Sequence, residues 1–308
     1  MDWKPIEHTV VKDSALKGRL HTTGYALSGN IGADPLQKLR ELYASLHNFN
    51  TEVGGMFYSL YSDDIEYREK VNSGIEEILR PVYDSFFADY KIVINSFIVK
   101  TSGPGSDFSL HQDSTGLDEF EYSPLSLWIP LQDTDLNNGT LCLIPKTHGF
   151  FHPYRGISFQ SPFCDYENLL RTYLVPVVLK AGDVLFFDNR VVHYSHTNFS
   201  NAERVVVMSG IFPQQADILS VYKDKTIPSS PFEIYKHSDD FLITNTAFFK
   251  DCTARPYRGE VIKTVYEELP GKTSFNFLNW ASANQLTPTN IAELVHPADT
   301  MRIISEPV

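Results

Sequence analysis

His111 and Asp113, in the stretch SLHQDSTG at residues 109–116, stand two apart. Side chains on an extended chain alternate with a period of two, so this imidazole and carboxylate point the same way. Such a pair suits a metal site, but spacing alone is ambiguous, because His237 and Asp239 in KHSDD repeat it. What sets the first pair apart lies downstream. The block GDVLFFDNRVVHYSHTNFSNAER carries His193, Ser195, Asn198 and Arg204 on what reads as a turn, a strand, a loop and a further strand. A histidine, a carboxylate two residues on and a distant second histidine make a facial triad, which holds Fe(II) on one side and leaves positions open for a cosubstrate and O2. A chelating 2-oxo acid could take two of those positions. Its far carboxylate would then need a permanently charged, two-pronged donor, which arginine provides better than lysine. Arg204 follows His193 far enough on to return along the neighbouring strand. Ser195 projects from the same face as His193 and could add a hydroxyl.

The elements that must carry these residues fall into three stretches. The first third is expected to be helical. ADPLQKLRELYASLH opens with Asp34 as N-cap and Pro35 at the first helical position, and Leu36, Leu39, Leu42, Tyr43 and Leu46 mark one face. A second helix is expected within DDIEYREKVNSGIEEILRPVYDSFF, kinked or divided at Pro81. From Lys91 the texture becomes β-like: KIVINSFIVKTSG, two runs joined across Asn137-Asn138-Gly139, turns at Ala181-Gly182-Asp183 and Asp188-Asn189, and ERVVVMSGIF. Short strands at this spacing predict a β-sandwich or barrel. Residues 214–308 are broken by Pro228, Pro231, Pro256 and Pro270 and show no clear pattern.

Composition narrows the partners. The 308 residues can bury one large core or two modest ones, and here one catalytic domain is expected, with 1–90 helical, 91–213 the β core and 214–308 an extension. A hydrophobic content of 42% with 21 Phe and 16 Tyr argues against disorder. The formal net charge of −12 argues against nucleic acid, since phosphate binding needs a basic face. No stretch has the length of a membrane span or a signal peptide. Cys142, Cys164 and Cys252 are odd in number and form no CxxC, so neither a disulfide framework nor a thiolate zinc site is expected. A cytoplasmic protein with a small-molecule substrate is the simple expectation.

Three blocks occurring in order carry a specific resemblance: LHQD, then W…NNG…L…IP…TH, then GD…FF…H-x-S-x-x-N-x-S…R. Together they resemble the phytanoyl-CoA dioxygenase family of Fe(II)- and 2-oxoglutarate-dependent oxygenases, most clearly over residues 91–213. The resemblance implies a mainly β fold with flanking helices, a double-stranded β-helix or cupin-like jelly roll. It implies His111, Asp113 and His193 as iron ligands. Arg204 and Ser195 match the binders of the 2-oxoglutarate carboxylate, Gln112 and Trp128 fall where the family lines that cosubstrate, and Ser96 is a looser match. The family often has glycine after the distal histidine, whereas this chain has Tyr194, a ring that either narrows the site or packs outward.

Rival residues have plainer readings. His196 would shorten the spacing to Arg204 and lose the serine match. His237 and Asp239 are expected in a solvated turn, with only His296 beyond them. Structural roles are expected for His148 and His152, and exposed loop positions for Arg155 and Arg171. The resemblance implies hydroxylation of an unactivated C–H, with succinate and CO2 released. Related halogenases have glycine or alanine where Asp113 stands, so halogenation is disfavoured. The expected substrate is a small metabolite such as an amino acid, a carboxylic acid or a natural-product intermediate. An oxygenase of an acyl thioester and a non-catalytic jelly-roll binding protein are the alternatives.

Overall fold

The computed structural model of the chain describes residues 6–46, 55–150, 153–158, 161, 163–227, 229–245, 259–266 and 274–289. Helix α1 (Ser14–Thr23) begins at Asp13, whose carboxylate accepts the Leu16 N–H at 2.6 Å, and ends at Gly24 in the left-handed region, φ +82°. Strand β1 (Tyr25–Asn30) follows. Helix α2 (Ala33–Leu46) starts one residue before the expected cap, placing Asp34 in its first turn and burying Leu36 and Leu39. After β2 (Met56–Tyr58) comes α3 (Ile65–Phe86), capped by Asp64. It passes through Pro81 without dividing. Proline costs one helical hydrogen bond to the residue four before it, and both Pro81 and Glu77 are exposed, so the loss falls on the helix's solvent face.

The β core is two antiparallel sheets. One has the order β1-β8-β5-β10-β3-β2, where β3 is Tyr90–Lys100, β5 Leu125–Pro130, β8 Asp183–Asp188 and β10 Arg204–Pro213. The other has the order β4-β9-β6-β7, where β4 is Phe108–His111, β6 Leu141–Leu143, β7 Val175–Pro176 and β9 His193–Ser195. The chain passes from sheet to sheet between β3 and β4, β4 and β5, β5 and β6, β7 and β8, β8 and β9, and β9 and β10. This is the double-stranded β-helix. Asn137-Asn138-Gly139 therefore does not close a hairpin. It lies on the crossing from β5 to β6, with Gly139 at φ +75° because a Cβ there would strike the His196 carbonyl.

Alternation explains how the larger sheet serves two purposes. Phe97, Val99, Leu127, Ile129 and Val207 point to the helices, where Leu39, Val71, Ile75, Leu79 and Tyr83 cover them. Ile98, Trp128, Leu185, Phe187 and Val206 point the other way, toward the smaller sheet. The N-terminal part is thus not purely helical, since β1 and β2 complete the larger sheet's edges.

Beyond the core, a short helix α4 (Glu167–Arg171) precedes β7. A third sheet has the order β11-β12-β13, with β11 Ile218–Tyr222, β12 Phe232–His237 and β13 Glu260–Val265. Helix α5 (Phe241–Thr244) lies between the last two. Helix α6 (Ser274–Ala283) buries Phe277 and Ala281 against Phe150, Phe163, Tyr166 and Tyr173, clamping the segment that follows β6. Among the described residues no helix is long and apolar enough to cross a membrane.

Candidate active site

The ladder between β4 and β9 sets His111 directly opposite His193. Asp113 lies just past β4, its N–H given to the Asn189 carbonyl at 2.9 Å, so the segment leading into β9 holds both ends of the trio. Nε2 of His111 is 3.5 Å and Nε2 of His193 is 3.7 Å from Asp113 Oδ1. The three ligand atoms all fall within 4.8 Å of one another, as a single ion requires. Each imidazole turns its Nδ1 to a carbonyl: His111 to Ser109 at 2.8 Å and His193 to Val191 at 2.9 Å. A carbonyl only accepts, so Nδ1 carries the proton and Nε2 offers its lone pair to the site.

Electrostatics favour the metal-binding protonation state. Burial pushes the His193 pKa down to about 4, helped by His111 and opposed by Asp113. Burial works to raise the Asp113 pKa, but the two histidines and Arg155 outweigh it and hold the carboxyl below its ordinary value. At neutral pH the site therefore presents neutral imidazole and carboxylate, the donor set suited to Fe(II).

These groups open into a cavity of 420 Å³ between the sheets, shared with Arg204, Ser195, Trp128 and Tyr58. Arg204 is 2% exposed. Its guanidinium carbon sits 5.5 Å from the centre of the Trp128 ring, and its Nε has no hydrogen-bond partner among the described residues. Burial lowers its pKa to about 10, which leaves it charged. A buried, charged guanidinium with no carboxylate of its own is costly unless an anion is brought to it. Such a donor suits the far carboxylate of a 2-oxo acid.

Two of the residues matched by resemblance have other work. Gln112 borders the cavity, but its amide nitrogen donates to the carbonyls of Thr147 at 3.3 Å, Phe150 at 3.2 Å and Arg190. It pins the loop between the ligands and has no donor left for a cosubstrate. Ser96 is fully buried and bonds Ser59 Oγ at 2.9 Å, because the turn Ser59–Tyr61 lies over that stretch of β3. It does not line the cavity.

The rivals also resolve. Arg155 is not an exposed loop residue: it is 4% exposed, binds Glu119 through two nitrogens at 2.5 and 2.7 Å, and donates to the Asp113 carbonyl at 2.6 Å. Arg171 pairs with Glu167 and lies over the Tyr194 ring at 4.1 Å, so Tyr194 packs outward. His196 contacts Tyr194 and lies outside the trio. His148 is buried with Nε2 on the His21 carbonyl. His237 is buried on β12 rather than in a solvated turn, while Asp239 pairs with Lys91. His152, His296 and Cys252 lie outside the described residues.

Sequence reasoning missed Lys100. It is fully buried opposite Arg204 in the β3–β10 ladder, and its Nζ donates to the carbonyls of Ser195, at 3.1 Å, and His196. Burial, then Arg204, lowers its pKa to about 6. The signal was present as a lone lysine ending an apolar strand, which on its own reads as a solvated terminus. The wall formed by Leu219, Val221, Phe241 and Leu242 was also missed, since it comes from the segment that showed no pattern.

Known proteins resemble this chain in sequence and in fold. The sequence model described as phytanoyl-CoA dioxygenase (PhyH) matches residues 48–206, just over half of the chain. Phytanoyl-CoA dioxygenase of Arabidopsis thaliana is 30% identical over 119 residues, covering 37% of this chain and 41% of that protein. Phytanoyl-CoA dioxygenase domain-containing protein 1 of Danio rerio is 28% identical over 141 residues, covering 42% and 47%. The match thus spans less than half the length of these relatives. In fold, the chain resembles EctD from S. alaskensis, solved with 2-oxoglutarate and 5-hydroxyectoine, at 17% identity and a TM-score of 0.50 over 71% of this chain and 85% of that one.

Proposed function

Since this chain belongs to the phytanoyl-CoA dioxygenase family, we propose that it is an Fe(II)- and 2-oxoglutarate-dependent oxygenase hydroxylating an unactivated C–H of a small molecule held between its sheets. The observation that carries this reading is a pairing within one cavity. A His–Asp–His trio with its lone pairs turned inward shares that cavity with a buried arginine lacking a carboxylate. His111, Asp113 and His193 would hold the iron, and Arg204 with Ser195 would receive the far carboxylate of 2-oxoglutarate. Bound there, the metal and cosubstrate supply the oxidising power, with O2 consumed and succinate and CO2 released.

The protein's own part is orientation and exclusion of water. The Ser109 and Val191 carbonyls fix the tautomers of the two histidines, and Arg155 and Asn189 fix the backbone of Asp113. Lys100 holds the strand end that carries Ser195. Trp128 backs the Arg204 guanidinium. Asp113 fills the position that a halide would need, which favours hydroxylation. The N-terminal helices, the two sheets and the C-terminal extension work as one catalytic unit in this reading, because all three parts contribute to or support the cavity.

The test is product formation. Protein given Fe(II), 2-oxoglutarate and air should release succinate, and His193→Ala and Asp113→Ala should reduce that release at least a hundredfold while remaining folded. Succinate release equal in wild type and both variants would sink the reading.

A further inference from the structure

The cavity's charges are nearly all committed. Its lining residues among those described include five acidic, basic or imidazole side chains: His111, Asp113, His193, Arg204 and Arg155. In the oxygenase reading, on which this inference rests, iron takes the first three and 2-oxoglutarate takes Arg204. Arg155 is already neutralised by Glu119 in a buried two-nitrogen pair. A carboxylate, phosphate or ammonium on the substrate would therefore meet no uncommitted counter-charge among the described residues, and its desolvation there would be uncompensated. Much of the remaining wall is apolar, with Val93, Ile94, Phe212, Leu219, Val221 and Phe241 among its members.

Polar groups interrupt that wall at Thr115, whose hydroxyl goes to the Pro153 carbonyl, at Ser126 and Asn189, which bond each other, and at Ser220. Ser220 on β11 is 3% exposed and lines the cavity, and its Oγ lies 2.7 Å from Nε2 of His237. The β11–β12 ladder sets Ile218 opposite His237, so Ser220 and His237 are diagonal neighbours on one face. The imidazole is sandwiched in place, its ring 3.5 Å from that of Phe241 and inclined by only 10°. Its Nδ1 is buried and has no partner among the described residues. Burial keeps it neutral, with a pKa of about 4. A neutral imidazole carries one N–H. Placing it on Nδ1 would strand a buried donor, whereas placing it on Nε2 spends it on Ser220 and leaves only a lone pair unmet. With Nε2–H donating to Oγ, the Ser220 hydroxyl proton is free to turn into the cavity.

We propose that the substrate is an uncharged, largely hydrocarbon molecule or moiety carrying an oxygen acceptor, a carbonyl, ether or hydroxyl, which the Ser220 hydroxyl receives. Ser220 is then a specificity residue that touches the substrate, and His237 is the positioning residue behind it. This departs from the amino acids and free carboxylic acids that the sequence first suggested.

The test measures binding alone, by equilibrium dialysis of four probes of matched chain length against the full chain: decan-2-one, its oxygen-free isostere 2-methyldec-1-ene, decanoate and decylammonium. Decan-2-one should bind at least tenfold more tightly than either ion. Ser220→Ala should weaken the ketone about fivefold to tenfold and leave the alkene unchanged, since one hydrogen bond is at stake. Ser220→Thr should restore the ketone, which a merely structural role for the hydroxyl would not require. His237→Phe, which keeps a ring against Phe241, should lower ketone affinity alone and by a smaller factor. Decanoate or decylammonium binding as tightly as the ketone, or Ser220→Ala weakening ketone and alkene equally, would overturn the proposal. Because no turnover is read, failure of the oxygenase reading would show as absent succinate beside an intact probe pattern. Acyl-thioester forms of a ketone-binding probe series, added as a further arm, separate a free substrate from a carried one.

Discussion

Two arginines, equally buried, show how this protein separates architecture from chemistry. Arg190, with no exposed surface, gives Nε and Nη2 to Asp188 at 2.8 and 2.5 Å and a further bond to Ser123 at 2.7 Å. His8 reaches the same carboxylate at 3.2 Å, and Ser123 donates to the Ile6 carbonyl, so the cluster also ties the N-terminal segment to the core. Arg190 holds the Asp188 carboxyl well below its ordinary range, against the opposing effect of burial. Arg204 has nothing comparable. It faces a cavity, stacked near Trp128, with no carboxylate among the described residues. A guanidinium supplied with its own anion is a brace. One left without an anion, in an open cavity, is a receptor for one.

The largest effect that could break this contrast comes from the brace. Asp188→Ala should cost about 3–5 kcal/mol in urea denaturation, because it strands a buried guanidinium. A loss under 1 kcal/mol would mean that the cluster is not the brace described here. Arg204→Met should do the opposite, leaving the denaturation midpoint unchanged or higher while 2-oxoglutarate affinity falls about a hundredfold. Isothermal titration of the metal-loaded protein checks the second part. A stability loss as large as that of Asp188→Ala would erase the distinction.

A smaller effect concerns acid. Burial lowers the pKa values of His148 and His237 to about 4 from the ordinary 6.5. The unfolded chain therefore binds protons that the folded one refuses, and the stability these residues contribute is whole above pH 6.5 and lost as pH falls toward 4. The urea midpoint should decline across that window. His237→Phe should flatten the decline in part, and an unchanged slope would show that His237 does not titrate in this way.

The parts of the site that could be read in the sequence are those where type, spacing and order combine. His111 and Asp113 needed their two-residue spacing together with the block downstream, although Asp113 falls just past the strand, and His193, Ser195 and Arg204 needed only a turn, a strand and a return. What could not be read depends on which strand lies beside which. The Asn137-Asn138-Gly139 signal is a genuine turn, but nothing local says that it leads to another sheet. Ser96 failed because a turn some forty residues earlier covers it. Gln112 does border the cavity, but the three carbonyls from distant segments that converge on its amide could not be foreseen. Arg155 looked exposed because Glu119, its partner, has no sequence relation to it. The sheet from β11 to β13 stayed hidden because its strands are separated by long, proline-broken connections, and yet it supplies a wall of the cavity.

The most direct test of the central claim is an anaerobic titration of Fe(II) and 2-oxoglutarate, following the weak visible charge-transfer band of the chelate in wild type, Asp113→Ala and Arg204→Met. The account predicts a band that requires both iron and 2-oxoglutarate, is lost in Asp113→Ala, and in Arg204→Met appears only at about a hundredfold more 2-oxoglutarate. No band in folded wild-type protein, or a titration curve that Arg204→Met leaves unmoved, would contradict it.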